Sequence, residues 1–185
     1  MTDKIICEIK SLLQKKQSVL VAIDGRCASG KTTLAEKLTA SLSCNVIHID
    51  DFFLRPEQRT AERYEEPGGN VDRERFWEEV LLPLKAGTVF SYRPFDCHTM
   101  TLGEPIKVIP NAVTIIEGTY SCYPALWDFY DLHIFLTTSP EKQIHRLAQR
   151  NKENLEMFRK KWIPLEERYL SSYEIEMKSE LKFET

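Results

Sequence analysis

No stretch of the sequence approaches the ~20 consecutive apolar residues of a membrane-spanning helix. The first residues, MTDKIICEIKSLLQKK, lack the apolar core and small-residue cleavage site of a signal peptide. Cysteine is sparse and unpatterned: Cys7, Cys27, Cys44, Cys97 and Cys122 include no Cys-x-x-Cys pair. That argues against a thiolate metal site or a disulfide framework and predicts free thiols in a reducing compartment. There is no basic excess either, since 25 Lys and Arg stand against 28 Asp and Glu for a formal net charge of −3. A general nucleic-acid binder would need a basic surface. Repeats, low-complexity tracts and linkers are also missing. These absences predict one cytoplasmic domain over residues 1–185, with neither membrane nor nucleic acid as partner, and they leave a homo-oligomer open.

What is present is ordinary globular material, 42% hydrophobic and 29% charged. A chain of this length can bury roughly 70% of its unfolded surface and needs no staples. Ile5, Ile9, Leu12 and Leu13 recur at helical spacing and predict an amphipathic helix over 3–16. SVLVAID (18–24) reads as a buried strand, followed by a helix over about 31–42 and a second strand, NVIHID (45–50). Residues 55–70, RPEQRTAERYEEPGGN, form a polar surface excursion of the kind that carries function. Asp72 can cap a helix reaching about Lys85, with Gly87 just past its end. TVFSYRPF and EPIKVIP read as short strands around a turn at Gly103, while AVTIIEG (112–118) and DLHIFLT (131–137) read as buried strands. SPEKQIHRLAQRN (139–151) opens with a Ser cap and a Pro at the first helical position. A last helix is predicted over about 165–177, then ELKFE as an edge strand. Apolar strands alternating with helices imply an α/β fold, a parallel sheet with helices on both faces.

Gly25-Arg26-Cys27-Ala28-Ser29-Gly30-Lys31-Thr32 matches G-x-x-x-x-G-K-[ST], the phosphate-binding P-loop. Chance should produce this match only about once in a few hundred chains of this size, and here it falls between a predicted strand and helix. The two glycines permit backbone that turns successive N–H groups inward on phosphates. The following helix, which starts through Lys31, Thr32 and Thr33, adds unpaired N–H groups and its positive dipole end. Lys31 supplies a charge for the β- and γ-phosphates, and the Thr32 hydroxyl can ligate Mg²⁺.

Two acids complete the motif. HIDDFF (48–53) puts Asp50 and Asp51 at the carboxyl end of the second strand, where ligands bind in open α/β sheets. Asp50 is the candidate base or metal-water ligand, and Asp51 is structural or substrate-facing. Glu117 ends an apolar strand, like a Walker-B acid, and is the candidate for the metal's water shell. No N-K-x-D guanine motif is present, since Asn151-Lys152-Glu153-Asn154 lacks the aspartate. The L-S-G-G-Q signature of transporter ATPases is absent as well. A small-molecule kinase remains.

GxxxxGKTT, HIDDFF, GGNVD, YRPFDCHT, IIEGTY and an Arg-bearing helix before RKKWIPLEERY occur in that order. From about Val19 to Tyr173 the sequence resembles the uridine kinase-like P-loop kinases, which are related to phosphoribulokinase, pantothenate kinase and nicotinamide riboside kinase. The resemblance implies a P-loop NTPase fold with a small lid over about 149–162. It also implies ATP and Mg²⁺, and transfer of the γ-phosphoryl group to a small-molecule acceptor, by this resemblance the 5′-hydroxyl of a nucleoside. Asp50 is then the base, and Asp72 binds acceptor hydroxyls. Phe95, His98 and Tyr120 contact the acceptor, and Arg146, Arg150 and Arg159 close on the phosphates. Each of these has a plainer alternative: Asp72 as a helix cap, Phe95 and His98 as hairpin packing, the arginines as a solvated face. The sequence also departs from the pattern. It reads Asp-Asp-Phe-Phe where many uridine kinases read Asp-Ser-Phe-Tyr, which is closer to nicotinamide riboside kinases, and its lid lacks paired RGR arginines. Nicotinamide riboside, pantothenate and sugar phosphates therefore stay open as acceptors, and a non-catalytic nucleotide-binding regulator is the rival from another class.

Overall fold

The computed structural model describes residues 1–150 and 152–185. Its centre is a sheet of five parallel strands: β1 (Val19–Gly25), β2 (Asn45–His48), β7 (Val113–Glu117), β8 (Leu132–Thr137) and β9 (Leu181–Glu184). Their spatial order is β2-β7-β1-β8-β9. β1 lies between β7 and β8, pairing Val21 with Ile115 on one side and Leu132 on the other. The carboxyl ends of these three strands frame the crevice where ligands of such sheets bind.

Strand alternation divides the core in two. Val21, Ile23, Ile115, Ile134 and Leu136 face α1 (Thr2–Leu13) and α2 (Lys31–Ser41), whereas Ala22, Ile116 and Phe135 face Phe52, Phe76 and Tyr169. α1 has only 12 residues, a length marginal for an isolated helix. Ile5 and Ile9, both fully buried, contribute roughly 1.5–3 kcal/mol each, and this packing holds α1 in place.

Four boundaries differ from expectation. α1 ends at Leu13 rather than at residue 16. β2 stops at His48, and Ile49–Phe52 form a 3₁₀ turn, because burying both Ile49 and Phe52 requires the i, i+3 spacing of a helical turn rather than strand alternation. The segment 90–108 forms an interrupted hairpin, with β3 (Phe90–Tyr92) paired to β6 (Ile106–Val108) and β4 (Phe95–Asp96) to β5 (Thr101–Leu102). It turns at 97–100, where Asp96 accepts the His98 N–H at 2.7 Å, and not at Gly103, which bonds the Pro94 carbonyl at the interruption. The last helix divides into α9 (Ile163–Ser172) and α10 (Ile175–Lys178) at Glu174, whose φ is 56°.

The excursion carries α3 (Ala61–Glu65). Behind it, residues 73–86 run as α4 (Arg73–Phe76), a π turn (Trp77–Leu81) and α5 (Leu82–Ala86), with Gly87 at φ 65° past the end as expected. α6 (Pro124–Trp127) links β7 to β8. α7 (Pro140–Arg150) and α8 (Leu155–Met157) lead into α9 through a π turn at Phe158–Trp162. Residue 151, common to the helix expected over 139–151 and the lid expected over 149–162, lies outside the described residues. No helix among the described residues is long and apolar enough to cross a membrane.

Candidate active site

In the loop between β1 and α2 the carbonyls of Cys27, Ala28 and Ser29 are turned outward and tied down. Gln143 on α7 donates to the Cys27 carbonyl at 3.1 Å, Arg146 to the Ala28 carbonyl at 3.1 Å, and the Thr185 hydroxyl to the Ser29 carbonyl at 2.9 Å. The N–H groups of the same peptide units, those of Ala28, Ser29 and Gly30, thereby turn to the inner, concave side, where the Ser29 N–H also reaches the Arg26 carbonyl at 3.2 Å; this is the geometry of an anion cradle. Gly25 has φ 132°, and a Cβ there would lie 1.9 Å from the Leu136 carbonyl oxygen, so only glycine fits. Gly30, at φ 93°, starts α2. The Lys31 ammonium donates to the carbonyls of Gly25 (2.9 Å) and Arg26 (3.0 Å) and to the Thr119 hydroxyl (3.1 Å). It thus crosses the cradle at the side facing β7. Thr32 and Thr33 open to solvent on the first turn of α2.

Two acids, Glu117 and Asp50, meet this cradle. Glu117, nearly buried, accepts from the Thr32 hydroxyl at 3.0 Å and pairs through the same oxygen with His48 Nδ1 at 2.5 Å; that bond raises the His48 pKa. Asp50 opens into the cleft, and a Cβ on Gly118 would lie 3.1 Å from its carboxylate oxygen. Glycine at 118, with φ 134°, is what lets the loop after β7 approach so closely. Asp50 faces water on one side and protein on the others. Partial loss of hydration is the main cause that pushes its pKa up to about 6, opposed by Lys31 and reinforced by Glu117. Asp51 points elsewhere, accepting from the Tyr92 hydroxyl at 3.1 Å while its carbonyl accepts from Arg75 at 2.7 Å. The two aspartates diverge as expected, but through the 3₁₀ turn and not through strand alternation.

Among the described residues no three His, Cys, Asp or Glu side chains gather as a metal site. A cation held here would take few protein ligands, oxygen atoms of Thr32 and Glu117 with Asp50 close by, and complete its shell with phosphate and water. That donor set suits Mg²⁺.

The acceptor side differs from the expectation. Asp72 is 1% exposed and caps α4, accepting the Arg75 N–H at 3.1 Å, while its other oxygen lies 3.6 Å from Arg55 Nε. Phe95 is 5% exposed, with the Arg59 guanidinium 5.6 Å above its ring. Asp72 and Phe95 therefore each lie against an arginine of the excursion, Arg55 and Arg59 respectively. Tyr120 is 3% exposed, its ring 4.9 Å from that of Tyr169, so it packs in the interior instead of lining the cleft. His98 is exposed at the hairpin turn.

The lid arginines divide too. Arg146 does not reach the concave side. It braces the outer face of the loop, bonding Thr138 (3.3 Å) and Thr185 (2.8 Å) as well as Ala28. Arg150 is exposed at the end of α7, and Arg159 lies half exposed, 3.8 Å from Glu156. Arg26 turns away from the cradle into a bidentate pair with Glu167 at 2.6 and 3.0 Å. Burial and the neighbouring Glu166 carboxylate push the pKa of the Cys27 thiol well up, although it lies within the phosphate loop.

Known proteins are similar to this chain. A uridine kinase from Shewanella piezotolerans is 31% identical over 144 residues, spanning 68% of this chain and 65% of that protein. A phosphoribulokinase from Synechocystis sp. is 27% identical over 143 residues, spanning 75% of this chain and 43% of that protein. The structure of a possible uridine kinase from Bacillus stearothermophilus superposes with a TM-score of 0.70 at 24% identity, covering 98% and 97% of the two chains. The chain is similar to uridine kinase-like P-loop kinases and has the P-loop kinase fold.

No protein-family model matches this chain. It spans less than two thirds of both curated relatives named above. Several residues that build its site escaped sequence reasoning. Asp24, fully buried, accepts from the N–H groups of Gly25 (2.6 Å), Tyr120 (3.2 Å) and Cys122 (2.9 Å) and from the Tyr169 hydroxyl (2.7 Å). It thereby ties the loop after β7, including Tyr120 at φ 83°, to the start of the cradle. The signal was available, since an acid ending an apolar strand marked Glu117 and marks Asp24 equally. Thr119 follows Glu117 by two residues and receives Lys31. Glu166 and Arg59 left no signal, because nothing local says that α9 or the excursion folds over the cradle.

Proposed function

We propose that this chain transfers the γ-phosphoryl group of ATP to a hydroxyl of a small metabolite. The observation that carries this reading is Asp50, a carboxylate with a raised pKa, open in the cleft beside Lys31 at the carboxyl ends of the strands. The cradle binds the phosphates, and Lys31 offsets their charge. Thr32 and Glu117 would hold Mg²⁺, which would supply Lewis-acid neutralisation of phosphate charge. Asp50 accepts the proton of the acceptor hydroxyl as its oxygen bonds to phosphorus and the bond to ADP breaks. Arg150 and Arg159 are the candidates to approach the phosphates from the lid, and Arg146 positions the loop. A pure nucleotide switch would have no use for a second carboxylate poised at the mouth of the cradle.

The relatives named uridine kinase support a nucleoside acceptor, phosphorylated on its 5′-hydroxyl. For a base to stack on Phe95, or a ribose to reach Asp72, Arg59 and Arg55 must swing aside. A second reading is favoured by those same arginines. Arg59 has no carboxylate partner among the described residues, and a cation placed there suits an acceptor that carries a phosphate or carboxylate. Labelled ATP incubated with uridine, cytidine, nicotinamide riboside, pantothenate and ribulose 5-phosphate separates the two. Turnover with a nucleoside and none with the anions establishes the first reading, and the reverse pattern the second. ATP consumption with none of a broad hydroxyl panel, by a protein that binds ATP tightly, would reject the kinase reading.

A further inference from the structure

HIDDFF contains one side chain that the reaction above leaves unused. His48 is the last residue of β2, and the parallel register sets it opposite Glu117, the last residue of β7. Strand alternation fixes the face on which they meet. Val46 and Ile115 pack on the side of α1 and α2, so His48 and Glu117, two residues further on, lie on that side too. The first turn of α2 brings Thr32 to the same point. Three side chains from separate parts of the chain thus converge there.

Their hydrogen bonds are lopsided. His48 Nδ1 and the Thr32 hydroxyl both bond Glu117 Oε1, at 2.5 and 3.0 Å, and Oε2 takes no bond from any described residue. With the carboxylate ionised, both neighbours donate, the imidazole through Nδ1–H and Thr32 through its hydroxyl proton. A carboxylate held at one oxygen from two directions cannot turn without breaking a bond. Its second oxygen is left for the cleft. Thr32, its proton committed to Glu117, keeps its lone pairs for a cation. The His48 side chain is 43% exposed, so little of it serves the core.

We propose that His48 is a positioning residue of the metal site: from the neighbouring strand it locks Glu117 so that the second carboxylate oxygen and the Thr32 lone pairs serve one divalent cation. Groups that orient a ligand in this way typically change metal affinity by roughly 10–100-fold when they are removed. Loss of the imidazole should therefore weaken the metal and spare the nucleotide bound without it. This role for His48 rests on the Mg²⁺-nucleotide reading above and on nothing about the acceptor.

The test is ADP binding to the full chain by calorimetry, followed across Mg²⁺ concentrations and repeated in EDTA. In His48→Ala the Mg²⁺ concentration that gives half of the metal effect should rise at least ~10-fold, with affinity in EDTA changed less than ~3-fold. His48→Asn sets an amide N–H near the place of Nδ1 and should bring the Mg²⁺ requirement back to within ~3-fold of the parent. His48→Phe keeps a ring without the donor and should behave as His48→Ala does. In a Glu117→Ala background the histidine should cease to matter, because a group acting through Glu117 adds nothing once that carboxylate is gone. An unchanged Mg²⁺ requirement in His48→Ala would overturn the proposal. So would equal losses with and without metal, which would make His48 a brace of the fold, or a histidine effect that survives the loss of Glu117. Failure of His48→Asn to restore the requirement would reject it as well. If His48→Ala does not fold, His48→Phe set against His48→Asn makes the same comparison. ADP binding in the parent that ignores Mg²⁺ would bring down the metal reading along with the proposal, and no ADP binding at all would bring down the nucleotide reading, two results distinct from those above.

Discussion

Asp24 and Tyr169 stand 145 positions apart in the chain and share a 2.7 Å hydrogen bond at the centre of the molecule. The bond joins the strand that starts the phosphate loop to the helix that closes over it. With three backbone N–H groups on the same carboxylate, Asp24 is the point where the nucleotide cradle, the loop after β7 and α9 are pinned together. Burial raises its pKa against those four donors. The burial is sustained only because every lone pair has a partner.

Asp24→Asn should therefore cost more than a single hydrogen bond. The amide turns an N–H₂ toward donors that need an acceptor, and the expected loss is ~3–5 kcal/mol by urea unfolding. Tyr169→Phe removes one donor and should cost ~1–2 kcal/mol. A loss below about 1 kcal/mol for Asp24→Asn would mean the network is not a stabilising hub.

The adjacent aspartates of HIDDFF should separate by function. Asp50→Asn is expected to lower phosphoryl transfer by at least ~100-fold, on the scale of losing a positioned base, with nucleotide binding retained. Asp51→Asn breaks a hydrogen bond to Tyr92 and should cost stability, with turnover reduced less than ~10-fold. Steady-state rates beside melting curves of both variants decide it. The reverse ranking would assign the base to Asp51.

Stability should carry the mark of Asp50 as well. Its folded pKa, about 6, is raised above the ordinary 3.8. The folded protein therefore binds this proton more tightly than the unfolded chain does. The stabilisation is fully present below about pH 4 and is lost as pH rises through about 6. Asp50→Asn cannot ionise, so in metal-free buffer it should match the parent near pH 4 and melt higher at pH 8, by ~2–4 °C. The gain stays at the small end because the carboxyl opens to water. Identical melting curves for the two proteins at pH 8 would refute the raised pKa.

Cys27 should be slow. A thiol inside a phosphate loop invites the expectation of a reactive thiolate, but burial and Glu166 oppose ionisation. Alkylation by iodoacetamide at pH 8, followed by peptide mapping, should label exposed Cys7 well before Cys27. Faster labelling at Cys27 would show that Glu166 does not face its sulfur.

Much of this could be read from the residues in order. Strands β1, β2, β7, β8 and β9, α2 and α7 follow from apolar runs, glycine turns and the Ser-Pro start, because those signals are local. The phosphate loop was legible for the same reason, as were Asp50 and Glu117 at strand ends. The break at Glu174 and the stop at His48 were not, since both are settled by which side chains the core takes in. The acceptor side was the least legible. Its motif residues Asp72, Phe95 and Tyr120 are buried, and the side chains that lie against two of them, Arg55 and Arg59, come from a polar stretch whose path depends on tertiary packing alone.

The bracing of the phosphate loop also bears on how the chain comes to be made. The loop lies at residues 25–32, but the groups that fix its shape are Gln143, Arg146, Glu166, Glu167 and Thr185. A ribosome adds residues at about 5–20 per second, so the loop would wait many seconds for its last brace. Until β9 docks beside β8, the nascent chain carries the phosphate motif without the outward ties that hold its N–H groups inward. Nucleotide can assist only the finished fold, and any chain released before residue 185 should lose grip on phosphate well before it loses its sheet.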